Sequence, residues 1–177
     1  MSRAIVSPAQ APLVGTLHLP GDKSLSHRRA LFSLFVNDEL RLTNYGSGDD
    51  CQTTLSCLKR LGKTVARNGT EVMISGPARC LSSELDCGNS GTTARLLMGI
   101  LAGHEGAWTL TGDASLSRRP MDRVAAPLRL MGAQLELTGG HLPAQIAGRP
   151  EMASDRRRAI NLRRDRRDEE YGVDGGI

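Results

Sequence analysis

Lysine is nearly missing from this chain. Of 23 basic residues only Lys23, Lys59 and Lys63 are lysine, and the other twenty are arginine. Arginine's flat, permanently charged fork suits two-point contacts to carboxylate or phosphate. Aromatic residues are just as scarce: Phe32, Phe35, Tyr45, Trp108 and Tyr171 are all there are. That excludes the stacking platforms on which single-stranded nucleic acid is held. The four cysteines, Cys51, Cys57, Cys80 and Cys87, include no C-x-x-C pair, and only four histidines accompany them. No metal site is expected from such a set, and Cys57 is expected to pack as a small hydrophobe. No stretch approaches the about 18 apolar residues of a membrane span, and the N-terminus lacks the apolar core of a secretory leader. These absences point to a soluble protein of a reducing compartment, most simply the cytoplasm, with no membrane and no nucleic-acid partner. The net charge of +4 is a mild excess that requires neither.

What is present is a pattern that occurs twice. Residues 12–19, "PLVGTLHL", alternate like a strand. Residues 23–36 read as a helix with Leu31, Leu34 and Phe35 on one face, and 40–45 as a short strand. "SGDD" at 47–50 offers caps to a helix carrying Leu55, Leu58 and Leu61, closed by Gly62. Residues 63–67 and 71–75 then form a hairpin about Asn68-Gly69. The second round has a strand at 84–87 and a helix at 91–101 that buries Leu96, Leu97, Ile100 and Leu101. A strand at 107–111 follows. Next comes a helix with Pro120 at its first position and Met121, Val124, Ala125, Leu128 and Met131 on its apolar face. Gly132 closes it, and 133–138 pairs with 142–147 about Gly139-Gly140. Leu61-Gly62 and Met131-Gly132 lie 70 residues apart. Both segments, about 12–76 and 84–148, therefore read β-α-β-α-β-β, an α/β (α+β) fold built from duplicated units. Residues 151–177 break the pattern, with seven arginines, seven acids and no clean period; such a tail is expected to be solvated and disordered.

Three helix starts carry the polar chemistry. "LPGDKSLSHRRALF" places Lys23, Ser24, Ser26, Arg28 and Arg29 on an opening turn, where free N–H groups and the helix dipole already favour an anion. It is not a Walker motif, because Asp22 separates Gly21 from Lys23. "LDCGNSGTTARLL" brings Asn89, Ser90, Gly91, Thr92 and Thr93 to the second start, and "GDASLSRRPMDR" brings Arg118 and Arg119 to the third. Each alone suits a capped, solvated helix. Together they suggest a ligand with more than one anionic group.

The stretches "LPGDKSLSHR", "LDCGNSGTTARLLMGILAG" and "GDASLSRRPMDRVAAPLRLMGA" resemble the first part of the 5-enolpyruvylshikimate-3-phosphate synthase family, also called 3-phosphoshikimate 1-carboxyvinyltransferase. The resemblance runs from about Leu17 to Pro150, and the tail resembles nothing in the family. It implies transfer of the enolpyruvyl group of phosphoenolpyruvate to shikimate 3-phosphate, a step toward chorismate and the aromatic amino acids, with no metal or organic cofactor. It implies the enolpyruvyl transferase fold, present here only in part. By motif, Lys23, Ser24 and Arg28 would sit on shikimate 3-phosphate, and Lys23, the catalytic candidate, would also lie near phosphoenolpyruvate. Asn89, Gly91 and Arg119 would form the phosphoenolpyruvate side. Thr92 and Arg95 would shape the loop and helix, and His27 would be structural.

Arg29 stands where the family usually has a small residue, and Asp122 where glycine is usual. Past Pro150 the resemblance implies a third unit and a second domain, and neither is expected in this chain. The expectation is a truncated chain with little turnover alone, its tail the product of a shifted reading frame, and a complementing C-terminal chain as a possible partner. A non-catalytic phosphate-binding domain is the alternative.

Overall fold

The computed structural model describes residues 4, 5, 8, 12, 14–79 and 81–150. The charged tail at 151–177 and Cys80 lie outside them. Asp22 caps α1 (Lys23–Phe32), its carboxylate accepting from the Leu25 N–H at 2.7 Å. One 3₁₀ turn, Ser33–Phe35, ends the helix. The expected Leu31, Leu34 and Phe35 face is only partly realised: Leu31 and Leu34 are buried, whereas Phe35 is 60% exposed. Strand β1 (Leu40–Leu42) leads to α2 (Asp49–Arg60), with Asp49 and Asp50 in its first turn and Lys59 and Arg60 in its last, complementing the helix dipole. Gly62 follows at φ +95°, a conformation that favours glycine. Strands β2 (Thr64–Asn68) and β3 (Glu71–Ser75) pair antiparallel, with Asn68 opposite Glu71. The two-residue connection is therefore Gly69-Thr70, one residue later than the Asn-Gly signal suggested.

The second round is β4 (Ser82–Asp86), α3 (Gly91–Ala102), β5 (Gly106–Thr111), a 3₁₀ turn at Leu116–Arg118, α4 (Asp122–Leu130), β6 (Gln134–Thr138) and β7 (His141–Gly148). Gly139 and Gly140 both take positive φ, as a two-residue type I′ connection requires. Pro120 is not the first helical residue: Met121 occupies the cap position and α4 begins at Asp122.

The sheets record the duplication in their registers. The first has the order β1-β3-β2 and the second β4-β5-β7-β6. Leu40 faces Ile74 and Leu42 faces Val72, as Trp108 faces Ile146 and Leu110 faces Ala144. One element breaks the likeness. The strand expected at 12–19 is not formed among its described residues, and Val14, Leu17 and Leu19 are 96, 86 and 77% exposed. Alternation specifies which side of a strand is apolar. It does not supply the neighbour whose ladder holds the strand. In the second unit β5 provides that neighbour for β4, in parallel pairing that buries Leu85.

The core lies between the sheets and the helices. α3 buries Ala94, Leu97, Met98, Leu101 and Ala102, and packs against α1, α2 and α4. Leu96 and Ile100 are only partly buried against it. Cys51, Cys57 and Cys87 are free and buried; the Cys57 thiol donates to the Asp86 carbonyl at 3.4 Å. Lys63 is also buried, and its Nζ donates to the carbonyls of Val36 at 2.8 Å and Gly76 at 2.5 Å.

Pro127 sits inside α4. Its ring removes a helical N–H and crowds the carbonyl one turn back. Pro127→Ala is expected to raise stability by about 1 kcal/mol or more, because the cost of an internal proline outweighs the lost packing of a half-buried ring. Urea denaturation of the two proteins checks this; an unchanged or lowered midpoint shows that the ring's packing dominates.

Candidate functional site

The start of α1 is fixed from both sides. The Ser26 hydroxyl donates to the Asp22 carbonyl at 2.7 Å and accepts from the Gly46 N–H at 2.9 Å. This ties the helix to the loop between β1 and α2. Tyr45, buried beside Gly46, donates its hydroxyl to the Cys51 carbonyl at 3.0 Å. Lys23 reaches across to Asp50 in a close ion pair, the lysine side chain 61% exposed and the carboxylate 26%. The side chains of Ser24 and Arg28 are exposed and make no hydrogen bond or ion pair among the described residues. A hollow of about 380 Å³ opens here, lined by Gly21, Lys23, Gly46, Gly48, Asp50 and Cys51 among others.

The other two starts meet each other. Ser90 caps α3, its hydroxyl accepting from the Thr93 N–H at 3.2 Å. Asn89 is held at both ends of its amide: it donates to Asp113 Oδ2 at 2.7 Å and accepts from Arg119 Nη2 at 2.5 Å. Arg119 also reaches Ser115 Oγ at 3.4 Å. The Leu116 N–H and then the Asn89 amide hold the Asp113 carboxyl below its usual range, with Arg119 contributing less. Arg95 donates to the Pro120 carbonyl at 3.2 Å. A Cβ built on Gly91 would lie 2.6 Å from Arg95 Nη1 and 3.4 Å from Arg119 Nη1. The absent side chain leaves room for two guanidinium groups to converge on a buried helix start.

The structure thus gathers Asn89, Gly91 and Arg119 in one place and sets Lys23, Ser24 and Arg28 along the first turns of α1. No hydrogen bond or ion pair among the described residues joins the two sets directly. Two residues escaped sequence reasoning: Asp50, which holds Lys23, and Asp113, which orients Asn89. The doublet Asp49-Asp50 at a helix start was a usable signal for the first. Asp113 lies in a loop and gave none. The two departures fit where they stand. Arg29 is exposed on α1, and Asp122 occupies the first turn of α4, 3.7 Å from Arg129.

Two larger hollows lie elsewhere. One of about 690 Å³ runs between α2 and β4 and carries Asp49, Glu84 and Asp86, the wrong sign for an anion. The other, about 810 Å³, covers the outer face of the second sheet with Glu84 and Glu136 in its lining. No group of three or more His, Cys, Asp or Glu residues able to hold a metal is found among the described residues. No helix there is long and apolar enough to cross a membrane.

The sequence matches the family model described as EPSP synthase (3-phosphoshikimate 1-carboxyvinyltransferase) over residues 8–165. The chain belongs to the EPSP synthase family. The match extends fifteen residues past Pro150, into the segment that the sequence pattern set apart. Enzymes named 3-phosphoshikimate 1-carboxyvinyltransferase are similar along most of the chain. That of Koribacter versatilis is 41% identical over 159 residues, 88% of this chain and 37% of its own length. That of Salinibacter ruber is 46% identical over 158 residues, 86% and 36%. The solved EPSP synthase from Acinetobacter baumannii is 41% identical and superposes with a TM-score of 0.69, covering 76% of this chain and 32% of that one. This EPSP synthase family member therefore spans little more than a third of the length of its curated relatives, and its two-sheet architecture is a partial enolpyruvyl transferase fold.

His27 belongs to the same region. It is fully buried, and its Nδ1 lies 2.6 Å from Thr54 Oγ1. Burial lowers its pKa, against the opposing pull of Asp50; Lys23 adds a smaller push downward. The folded chain therefore keeps His27 neutral where the unfolded chain, with an ordinary histidine near 6.5, takes up a proton. The unfolded state then binds more protons, so this contribution to stability is complete above about pH 6.5 and falls as the pH drops below it. Urea midpoints measured from pH 8 to pH 5.5 should decline, and His27→Gln should flatten that decline. An equal slope in both proteins rules the histidine out as its source.

Proposed function

We propose that this chain carries part of an enolpyruvyl transfer site. It would bind shikimate 3-phosphate at the α1 start and phosphoenolpyruvate at the starts of α3 and α4. The observation that carries this is the convergence of Asn89, Gly91 and Arg119, oriented by Asp113, in a family member whose α1 presents Lys23, Ser24 and Arg28 to solvent. Both substrates are polyanions. Exposed Ser24 and Arg28 have donors to spare, and Arg119 can grip a carboxylate or phosphate at two points.

In the reaction, the 5-hydroxyl oxygen of shikimate 3-phosphate bonds to C2 of phosphoenolpyruvate. The hydroxyl proton leaves to a base, and the methylene carbon gains a proton that is lost again as phosphate departs. Lys23, the catalytic candidate, supplies positive charge near the carboxylate and phosphate, and Asp50 sets where that charge stands. The residues assigned here include no proton donor and no base, and the chain spans little more than a third of its relatives' length. Binding without turnover is the result expected of this chain alone, and a complementing C-terminal chain would restore the reaction. No metal or organic cofactor is assigned a part.

Calorimetric titration with shikimate 3-phosphate, and phosphate release from both substrates together, test this. Lys23→Ala should weaken shikimate 3-phosphate about tenfold, the worth of one charged hydrogen bond. Undiminished affinity overturns the placement of Lys23. Phosphate release that Lys23→Ala abolishes shows turnover by this chain and excludes a purely binding domain.

A further inference from the structure

A line of polar groups runs through the packing of α1, α2 and α3. His27 Nδ1 is 2.6 Å from Thr54 Oγ1, which is 2.8 Å from Thr93 Oγ1, which is 2.7 Å from Ser90 Oγ. All four residues are buried. The line starts on the helix that carries Lys23 and Ser24 and ends on the cap between Asn89 and Gly91. Around His27 the charged neighbours are Lys23 on α1 and Asp50 on α2, while α3 reaches the line through the hydroxyl of Thr93.

The hydrogens in this line can be counted, because each hydroxyl has one to give. Ser90 Oγ already accepts the Thr93 N–H. Suppose the hydroxyls point from Ser90 to Thr93, from Thr93 to Thr54 and from Thr54 to His27. Every hydroxyl is then satisfied, and the ring carries its proton on Nε2, which is buried without a partner. Suppose instead that they point the other way. Nε2 is then an empty acceptor, and Ser90 must also place a hydrogen for which no acceptor is at hand. The first arrangement strands one polar group and the second strands two. Each stranded buried group forfeits its hydration with no bond in return, so the first arrangement is favoured. A mixed arrangement, with Thr54 donating to the Asp50 carbonyl and accepting from both the ring Nδ1–H and Thr93, also strands one group, but it depends on a 3.4 Å contact beyond the ordinary O–H···O range.

We propose that His27, Thr54 and Thr93 are positioning residues. His27, as the Nε2–H tautomer, accepts from Thr54, and the hydroxyl line locks the Ser90 cap of α3 to α1. The two helix starts that present Lys23 and Gly91 are thereby held in one fixed relation. No hydrogen bond or ion pair among the described residues joins Lys23 to Asn89. The lock is a property of the chain itself; its use in aligning two substrates rests on the function proposed above.

The ring nitrogen shifts of ¹⁵N-labelled chain at pH 8 test the tautomer. An unprotonated Nδ1 is expected, and a protonated Nδ1 overturns the arrangement. Hydrogen exchange in Thr54→Val and Thr54→Ser tests the lock. Thr54→Val should speed exchange of the Thr93 amide about tenfold and leave the amides of Leu97 to Leu101 unchanged, and Thr54→Ser should restore it. Uniform acceleration along α3 means general destabilisation and overturns the positioning role. If Thr54→Val does not fold, His27→Leu, which removes the acceptor on α1, should speed the Thr93 amide in the same way, and His27→Gln, which keeps an acceptor there, should not. In a second arm, saturating shikimate 3-phosphate should tighten phosphoenolpyruvate about fivefold in the natural chain and not in Thr54→Val, a modest coupling between sites. Absence of binding by either ligand, with the exchange pattern intact, overturns the proposed function and leaves the lock standing.

Discussion

Gly21→Ala should lower stability by roughly 2–3 kcal/mol, the upper part of the range for forcing extra atoms into packed structure. A Cβ at Gly21 would stand 1.7 Å from the Asn44 carbonyl oxygen, 2.8 Å from its carbon and 3.0 Å from the Gly46 nitrogen. All three are backbone atoms, so no flexible side chain can yield. The loop itself has little freedom. Asn44 already sits at φ +53°, the Tyr45 N–H is committed to the Thr70 carbonyl at 2.8 Å, and Gly46 is bound to Ser26. Moving it breaks the Ser26–Gly46 bond, loosens buried Tyr45 and shifts the floor of the hollow beside Lys23. Loss of shikimate 3-phosphate binding should accompany the loss of stability. Urea denaturation and the amide shifts of Ser26 and Gly46 read both effects. A midpoint within experimental error of the natural chain would mean that the loop accommodates the methyl group and that the contact carries no weight.

Arg119→Ala should weaken phosphoenolpyruvate about 100-fold. Two charge-assisted hydrogen bonds at about 1.5 kcal/mol each give about 3 kcal/mol, or two decades of affinity. Arg119→Lys keeps the charge and loses the fork, so at least tenfold of that loss should remain. Stability should barely move, because the bonds that Arg119 makes to Asn89 and Ser115 lie on exposed or half-buried groups and Asn89 stays anchored to Asp113. Calorimetry with phosphoenolpyruvate in the presence of shikimate 3-phosphate separates the cases. An Arg119→Ala affinity within threefold of the natural chain removes Arg119 from the site.

The elements that were legible in the sequence are those whose cause is local. The α2 span follows from acids at its start, bases at its end and a glycine after it. The β6–β7 hairpin follows from Gly139-Gly140. The candidate anion groups were legible for the same reason: glycine, hydroxyls and arginine at a helix start have a meaning that needs no partner. The strand at 12–19 failed because a strand is completed by its neighbour. Pro120 misled by two residues because a proline marks the neighbourhood of a helix start and the backbone of Met121 decides its position.

By itself the sequence determined the mixed α/β class, the order of the elements from α1 onward, the three polar helix starts and the family. Each of these is written in residues near one another in the chain or in motifs that repeat. Only the tertiary structure decided which groups meet. It set Asp50 on Lys23, Asp113 on Asn89, and two hydroxyls, of Thr54 and Thr93, between His27 and the Ser90 cap of α3. Such pairings depend on how helices distant in sequence pack, and packing is fixed by the shapes and buried areas of all the side chains at once. No single stretch of the chain contains that information.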